Sequence, residues 1–196
     1  MKNRIFLGTG NPGKVKEILF YLKYFNIFHT FETLTPSDFK NLSEPIEDGV
    51  TFEDNAKLKS NFFYEATNIL SLSDDSGLMV DKLDGYPGIK TARVAKDMGG
   101  EQKVIDYIFS KFEHESQLKA TFHCSIALIG DDKKLVCSGK VKGSIIPMHR
   151  GDRGFGYDPY FIPENNSKTF AEMAIEEKMI LSHRFNAFKV LANQIL

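Results

Sequence analysis

Residues 8–14 read Gly-Thr-Gly-Asn-Pro-Gly-Lys, with two glycines separated by four residues and followed by lysine. This is the spacing of a nucleotide phosphate loop, but Val15 stands where that motif carries the hydroxyl that ligates Mg²⁺. Valine ligates nothing, so any metal must draw its ligands from elsewhere. The local chemistry still favours an anion. Free N–H groups at a helix start attract phosphate, Gly10 and Gly13 let it approach the backbone, and Lys14 adds a charge. The alternative is a strand–turn–helix connection whose glycines serve only the turn.

Carboxylates come next, because a reaction on a triphosphate at neutral pH usually needs a divalent cation. Asp74 and Asp75 follow a short apolar run, Ile69–Ser73, and lead into Ser76-Gly77, a turn signal. Adjacent carboxylates in extended chain point in different directions, so one can bind a metal while the other braces its surroundings. A plain turn also explains Asp-Asp-Ser-Gly. Glu44, Glu47, Asp48, Glu53 and Asp54 form a second acidic cluster. It is either a solvated face that complements a helix dipole or the other half of a Mg²⁺ site, since Mg²⁺ takes one or two carboxylates together with phosphates. Glu53 and Lys57 have the spacing of a helix-surface ion pair.

Gly151–Pro159 places three glycines among Phe155 and Tyr157, a composition poorly explained by core packing. The two rings can sandwich a base, with stacking worth roughly 1–3 kcal/mol per base. The other reading is a hydrophobic lid on a glycine hinge. Lys178 and Ser182-His183-Arg184 either cap helix carbonyls or form a donor cluster for a keto oxygen or phosphates. His29, His114, His123 and His149 lack metal-ligand spacing and read as structural or surface residues. Neither order nor spacing supports a Ser–His–Asp or Cys–His reading.

These residues need elements to position them. Arg4–Leu7 reads as a strand. Asn11 caps a helix with Pro12 at its first position and an apolar stripe of Val15, Ile18, Leu19, Leu22 and Phe25. Thr51 and Asp54 form a variant capping box opening a helix to about Ala66, and Leu83–Arg93 is rich in turns. Val104, Ile105, Ile108 and Phe112 mark another helix. Thr121–Ile129 points Phe122, Cys124, Ile126 and Leu128 inward, and Gly130-Asp131-Asp132 turns it into Leu135–Val141 as a hairpin. Ser144–Pro147 and Tyr160–Ile162 add short strands. Thr169 with Glu172 is a capping box for a helix to about Ile180, and Phe185, Phe188, Leu191, Ala192 and Ile195 mark a terminal helix. The expected fold is α/β, a mixed sheet with helices on both faces.

A chain of 196 residues holds one substantial core, or two lobes sharing a sheet. Its 25 basic and 26 acidic residues nearly cancel, so no global field recruits nucleic acid or an anionic membrane. Cys124 and Cys137 fall in apolar segments and read as buried thiols rather than a disulfide or metal pair. The basic start, Met-Lys-Asn-Arg, is followed by too few apolar residues for a signal peptide, and no segment is long enough to span a membrane. A cytoplasmic location is the expectation.

Seven motifs occur in one order: Thr9–Lys14, Thr51-Phe-Glu-Asp-Asn-Ala56, Asp74-Asp-Ser-Gly-Leu78, Pro87-Gly88 with Thr91-Ala-Arg93, Gly154–Pro159, Ala171-Glu172 with Lys178, and Ser182-His-Arg184. Together, from about Ile5 to Leu191, the chain resembles the inosine triphosphate pyrophosphatase family, also called the dITP/XTP pyrophosphatases. The resemblance implies an elongated mixed sheet in one two-lobed domain over residues 1–196, with a central active-site cleft. It also implies a homodimer and Mg²⁺-dependent hydrolysis of ITP, dITP and XTP to the monophosphate and pyrophosphate. Asp75 would be the catalytic carboxylate and a metal ligand, with Glu47 as the second carboxylate and Glu44 its rival. Thr9, Gly10, Asn11, Pro12, Gly13, Lys14 and Ser76 would hold substrate. Phe155, Gly156, Tyr157 and Asp158 would enclose the base, and Lys178, His183 and Arg184 would complete the pocket. Lys90 departs from the aromatic that often precedes the Ser/Thr-Ala-Arg motif.

Two other readings use the same residues. In a P-loop ATPase or GTPase, Ile69–Asp75 would be the apolar strand ending in a metal-binding aspartate; Val15 opposes this. In a regulatory nucleotide-binding protein the pocket would persist without turnover, which the presence of Asp75, Lys14 and a second carboxylate opposes.

Overall fold

The computed structural model describes residues 4–27 and 31–195. The readings of His29 and of the basic start before Arg4 lie outside these residues. Strands β1 (Arg4–Leu7), β2 (Glu32–Leu34), β3 (Leu70–Val80), β4 (Leu118–Ile129), β5 (Lys134–Ile145) and β6 (Phe161–Pro163) form one sheet in the order β2-β1-β3-β4-β5-β6. Helices are α1 (Pro12–Tyr24), α2 (Phe52–Thr67), α3 (Thr91–Met98), α4 (Glu101–Ser110), α5 (Ile175–Leu181) and α6 (His183–Ile195). The sheet is mixed, as expected. β1 runs parallel to β2 and β3, with Leu7 opposite Leu72, whereas β6 is antiparallel to β5, with Ser144 opposite Ile162. Reciprocal backbone bonds between Gly130 and Lys133 close the β4–β5 hairpin.

The chain divides into two compact units. The first comprises Met1–Asp75, Cys124–Gly139 and Arg184–Leu196. Its core includes Phe6, Phe63 and Ile69, with Ala56, Ala127 and Ile129 as a second cluster. The second comprises Ser76–His123 and Lys140–His183, and its core joins Val104, Ile105 and Ile108 of α4 to Leu78, Phe122, Ile145, Phe161 and Phe170. Cys124 and Cys137 are buried free thiols.

Several local expectations change. Asp74-Asp75-Ser76-Gly77 is not a turn: β3 runs straight through it, and both carboxylates are buried in the strand. Turn propensity loses because buried cations satisfy the side chains. Leu19 is largely exposed, and the buried face of α1 is Glu17, Ile18, Tyr21 and Leu22, so one acidic residue sits on the face turned inward. Ser144 and Ile145 end β5 rather than starting a new strand. The Thr169/Glu172 capping box forms, but it opens only a 3-10 turn, Phe170–Glu172. The helix begins at Ile175. In β4 both faces are buried from Phe122 to Ile129, because Ser125 and Ala127 also face protein. Among the described residues no helix is long and apolar enough to cross a membrane.

Candidate active site

The loop between β1 and α1 is held by its own side chains. Asn11 is the N-cap: its Oδ1 accepts the backbone N–H groups of Gly13 at 2.9 Å and Lys14 at 3.2 Å, and its own N–H donates to Thr9 Oγ1 at 3.2 Å. Those two N–H groups are therefore engaged by the cap. What the helix start offers an anion is its dipole and the Lys14 ammonium. Gly8 has a packing role. It is buried, its N–H donates to Leu72 O at 2.8 Å, and a Cβ there would lie 2.1 Å from Ser73 Oγ. Val15 is half-buried in α1.

Adjacent residues of a strand project to opposite faces. Asp74 faces α1 and α6. Its Oδ2 accepts from Arg184 Nη2 at 2.8 Å and Nε at 3.2 Å, and Lys14 Nζ is 3.2 Å away. Arg184 is fully buried and also forms an ion pair with Glu17 of α1. Burial alone would raise the Asp74 carboxyl, but Lys14, Arg184 and Lys59 together hold it well below the usual carboxylate range. It stays ionised, and it ties the Lys14 side chain to the sheet.

Asp75 faces α2. Asn55 Nδ2 donates to its Oδ2 at 3.0 Å, and Lys59 Nζ lies 3.7 Å from Oδ1. The same ammonium is 2.9 Å from Glu47 Oε1. Here burial wins: it pushes the Asp75 carboxyl up despite Lys59 and the Asn55 hydrogen bond. Lys59 is the reverse case. Burial disfavours its charge, but Asp75, Asp74 and Glu47 hold its ammonium above the ordinary value. Two neighbouring carboxyls thus have opposite affinities for a proton. Glu44 Oε1 lies beside Gly10, near 3.9 Å from where a Cβ of that residue would be. Glu53 accepts from Ser138 Oγ at 2.6 Å, which ties the start of α2 to β5.

Asp75 and Glu47 converge on the Lys59 ammonium, and among the described residues no group of three or more His, Cys, Asp or Glu side chains is placed to hold a metal ion. Two carboxylates leave coordination positions for water and phosphate oxygens, as Mg²⁺ requires.

The second unit carries the glycine-rich loop. Asp158 is buried and accepts from the Phe155 N–H at 2.7 Å and from Lys178 Nζ at 2.6 Å. Lys178 Nζ also stands 4.7 Å from the centre of the Phe155 ring. Phe155 and Gly156 are half-buried, whereas Tyr157 is buried in the apolar core, which pushes its hydroxyl's pKa up. The two aromatics of the loop therefore have different surroundings, with Tyr157 in the apolar cluster of the second unit and Phe155 beside the Lys178 ammonium. His183 stacks on Phe122 with ring centres 4.8 Å apart and 14° between planes. Ser76 is half-buried in β3. The loop is anchored at its start by Arg150, which makes a forked contact with Glu172 at 2.7 and 3.2 Å.

Sequence reasoning missed Glu17, Asn55 and Lys59 as members of these networks. The available signal was a polar or charged residue on an inward helix face. Glu17 is beside Ile18 and one turn before Tyr21, and Lys59 lies between Ala56 and Phe63, all buried.

Fold and site together define an α/β protein with a capped helix start tied to a strand that carries two buried carboxylates. The model of the Ham1 family matches residues 5–194, and the chain belongs to that family. It is 40% identical over 194 residues to a dITP/XTP pyrophosphatase of Vibrio vulnificus (strain YJ016), covering 96% of this chain and 94% of that protein. It is 36% identical over 197 residues to a dITP/XTP pyrophosphatase of Bacillus anthracis, covering 98% and 96%. The Staphylococcus aureus Ham1 protein superposes with a TM-score of 0.84 at 32% identity, covering 98% of each chain. A HAM1 protein from Coxiella burnetii gives 0.83 at 31%, again over 98% of each.

Proposed function

We propose that this chain cleanses the nucleotide pool by Mg²⁺-dependent hydrolysis of ITP, dITP and XTP to the nucleoside monophosphate and pyrophosphate. The enzyme class, a nucleoside triphosphate pyrophosphatase, follows from family membership and from the whole-length relatives that carry that name. The observation that carries the chemistry lies within the first unit. Lys14 of the loop before α1 is bonded to Asp74, and the next residue, Asp75, shares a cation with Glu47.

In this reading Lys14 and the N-terminal dipole of α1 attract the phosphates. Asp75 and Glu47 would hold Mg²⁺, which when bound supplies neutralising charge at the phosphate oxygens. Asp75 orients a water toward the α-phosphorus and takes its proton. The O–P bond to that water forms as the bond from the α-phosphorus to the bridging oxygen breaks, and pyrophosphate leaves. Burial, which raises the Asp75 carboxyl, makes it the better proton acceptor of the two aspartates.

Base choice is assigned to Phe155, Asp158, Lys178 and His183. A 6-keto purine offers an acceptor to Lys178, whereas the 6-amino group of adenine offers another donor and leaves the ammonium opposed. The keto group of guanine would satisfy Lys178 too, so discrimination against GTP must act at position 2. The protein is proposed to work as a cytoplasmic homodimer, which sedimentation at micromolar concentration tests.

The deciding experiment incubates the purified chain with Mg²⁺ and, separately, ITP, XTP, ATP and GTP, then identifies the phosphate product. Pyrophosphate from ITP and XTP, lost with Asp75→Asn, is the expected result. Orthophosphate from ATP or GTP would sink the proposal in favour of a P-loop enzyme.

A further inference from the structure

The α2 motif Thr51–Ala56 contains a residue that touches the proposed site but has no role in the reaction above. Asn55 sits in the first turn of α2, fully buried, with both ends of its side-chain amide engaged. Oδ1 accepts the Gly49 N–H at 2.9 Å, and Nδ2 donates to Asp75 Oδ2 at 3.0 Å. Gly49 lies two residues after Glu47, and Glu47 is linked through Lys59 back to Asp75. The result is a closed ring: Asp75, Asn55, Gly49, the backbone to Glu47, Lys59, and Asp75 again.

Only a carboxamide completes this ring. A carboxylate at position 55 has no donor for Asp75, and an ammonium has no acceptor for Gly49. The approach is close enough to dictate the partner residue as well. A Cβ at Gly49 would lie 2.7 Å from Asn55 Oδ1 and 2.7 Å from Asp54 Cβ. The helix start is independently fixed, since Thr51 and Asp54 bond reciprocally at 3.0 and 3.1 Å. Asn55 is therefore a rigid bracket that a packed helix presents to a loop on one side and to a strand on the other.

We infer that Asn55 is a positioning residue that sets the distance between the Glu47 and Asp75 carboxylates and commits Asp75 Oδ2 to the bracket, leaving Oδ1 as the working oxygen. The inference rests on the proposed reaction for what Oδ1 does, and on geometry alone for how Asp75 is held. An amide that holds a ligating carboxylate acts on metal affinity and turnover more than on substrate capture, which belongs to Lys14 and the loop before α1.

The test uses the full chain with Asn55→Leu, which matches the volume without the hydrogen bonds, and Asn55→Ala. Mn²⁺ binding is read by electron paramagnetic resonance without substrate. We expect affinity to fall about 10-fold or more in both variants, with kcat on ITP falling at least as far. KM for ITP should stay within about threefold of wild type, because uniform substrate binding is untouched. If either variant fails to fold, Gly49→Ala keeps every hydrogen-bonding group and displaces the loop, giving a smaller change in the same direction. Folded Asn55→Leu with wild-type Mn²⁺ affinity and kcat would overturn the inference, as would a crystal structure of Asn55→Ala in which the Asp75 carboxylate keeps its orientation. A wild-type protein that releases no pyrophosphate from ITP overturns the proposed reaction instead, and the Mn²⁺ and crystallographic comparisons still judge Asn55.

Discussion

Asp74 and Asp75 are neighbours in β3 whose side chains leave on opposite faces and meet opposite electrostatics. Asp74 takes a bidentate arginine and a lysine, which hold it ionised far below the ordinary range. Asp75 accepts an amide hydrogen bond from Asn55 and lies near the shared Lys59, but burial outweighs these, so its affinity for a proton rises. The first arrangement is a brace; the second leaves a carboxylate with something to gain from a metal or a proton.

Substitution of the two should therefore have different consequences. Asp74→Asn leaves buried Arg184 with Glu17 as its remaining carboxylate and should cost about 3–5 kcal/mol in urea unfolding. Asp75→Asn should lower pyrophosphate release roughly 10²–10⁴-fold with the fold intact. Because burial raises the folded-state pKa of Asp75, its charged form destabilises the native state once pH rises through that value. Asp75→Asn removes that penalty but also a carboxylate that holds the buried Lys59 ammonium charged, leaving Glu47 to pair it. It should therefore cost less stability at pH 8 than Asp74→Asn does. An equal or larger loss there would contradict this account.

Gly8 should tolerate no side chain. In Gly8→Ala the new Cβ meets Ser73 Oγ at 2.1 Å and Phe63 Cδ2 at 2.6 Å, so overpacking should cost about 1–3 kcal/mol. Adding Ser73→Ala removes the nearer of the two atoms and should recover part of that loss. Denaturation of the single and double variants provides the check, and no recovery would mean that Phe63 alone sets the limit.

Asn11 both caps α1 and occupies the N–H groups of Gly13 and Lys14. Asn11→Ala should cost about 1 kcal/mol of stability from the lost cap. It also unseats the Lys14 backbone, so KM for ITP should rise while kcat changes less. Thermal unfolding and steady-state kinetics on one preparation separate the two effects.

The acid limb of stability should carry a signature of Glu172. Its carboxyl accepts the Thr169 N–H and is forked by Arg150, which hold it below the ordinary glutamate value. A depressed folded-state pKa contributes stability above the unfolded value, about 4.3, and loses it as pH falls through the folded one. Glu172→Gln should thus be less stable than wild type at pH 6–7, with the gap closing below about pH 4. A gap that is constant with pH would assign the effect to packing.

Local grammar was legible where it is short-range. The Asn11 cap, the Pro12 start, both capping boxes and the β4–β5 turn all follow from residues a few positions apart, and the mixed sheet was inferred from the order of elements. Asp-Asp-Ser-Gly was misread as a turn because the cations that stabilise it come from positions 14, 59 and 184, beyond any local window. The capping box at Thr169 was real, yet the helix after it did not form there, since a cap lowers the cost of a helix start without supplying a buried face.

The order of motifs along the chain was enough to place it among the pyrophosphatases and pointed to Asp75 and Glu47, whereas residue chemistry alone reached only Lys14, the Asp74–Asp75 pair and the acidic cluster from Glu44 to Asp54. Which carboxyl braces and which one works could not be read that way, because two aspartates side by side are chemically identical until a sheet sends them to opposite faces. Folding brings Arg184 and Glu17 to one face, and Asn55 and Lys59 to the other, from positions up to 167 apart in sequence. Proton affinity is set by those neighbours and by burial, and both exist only once the chain is packed.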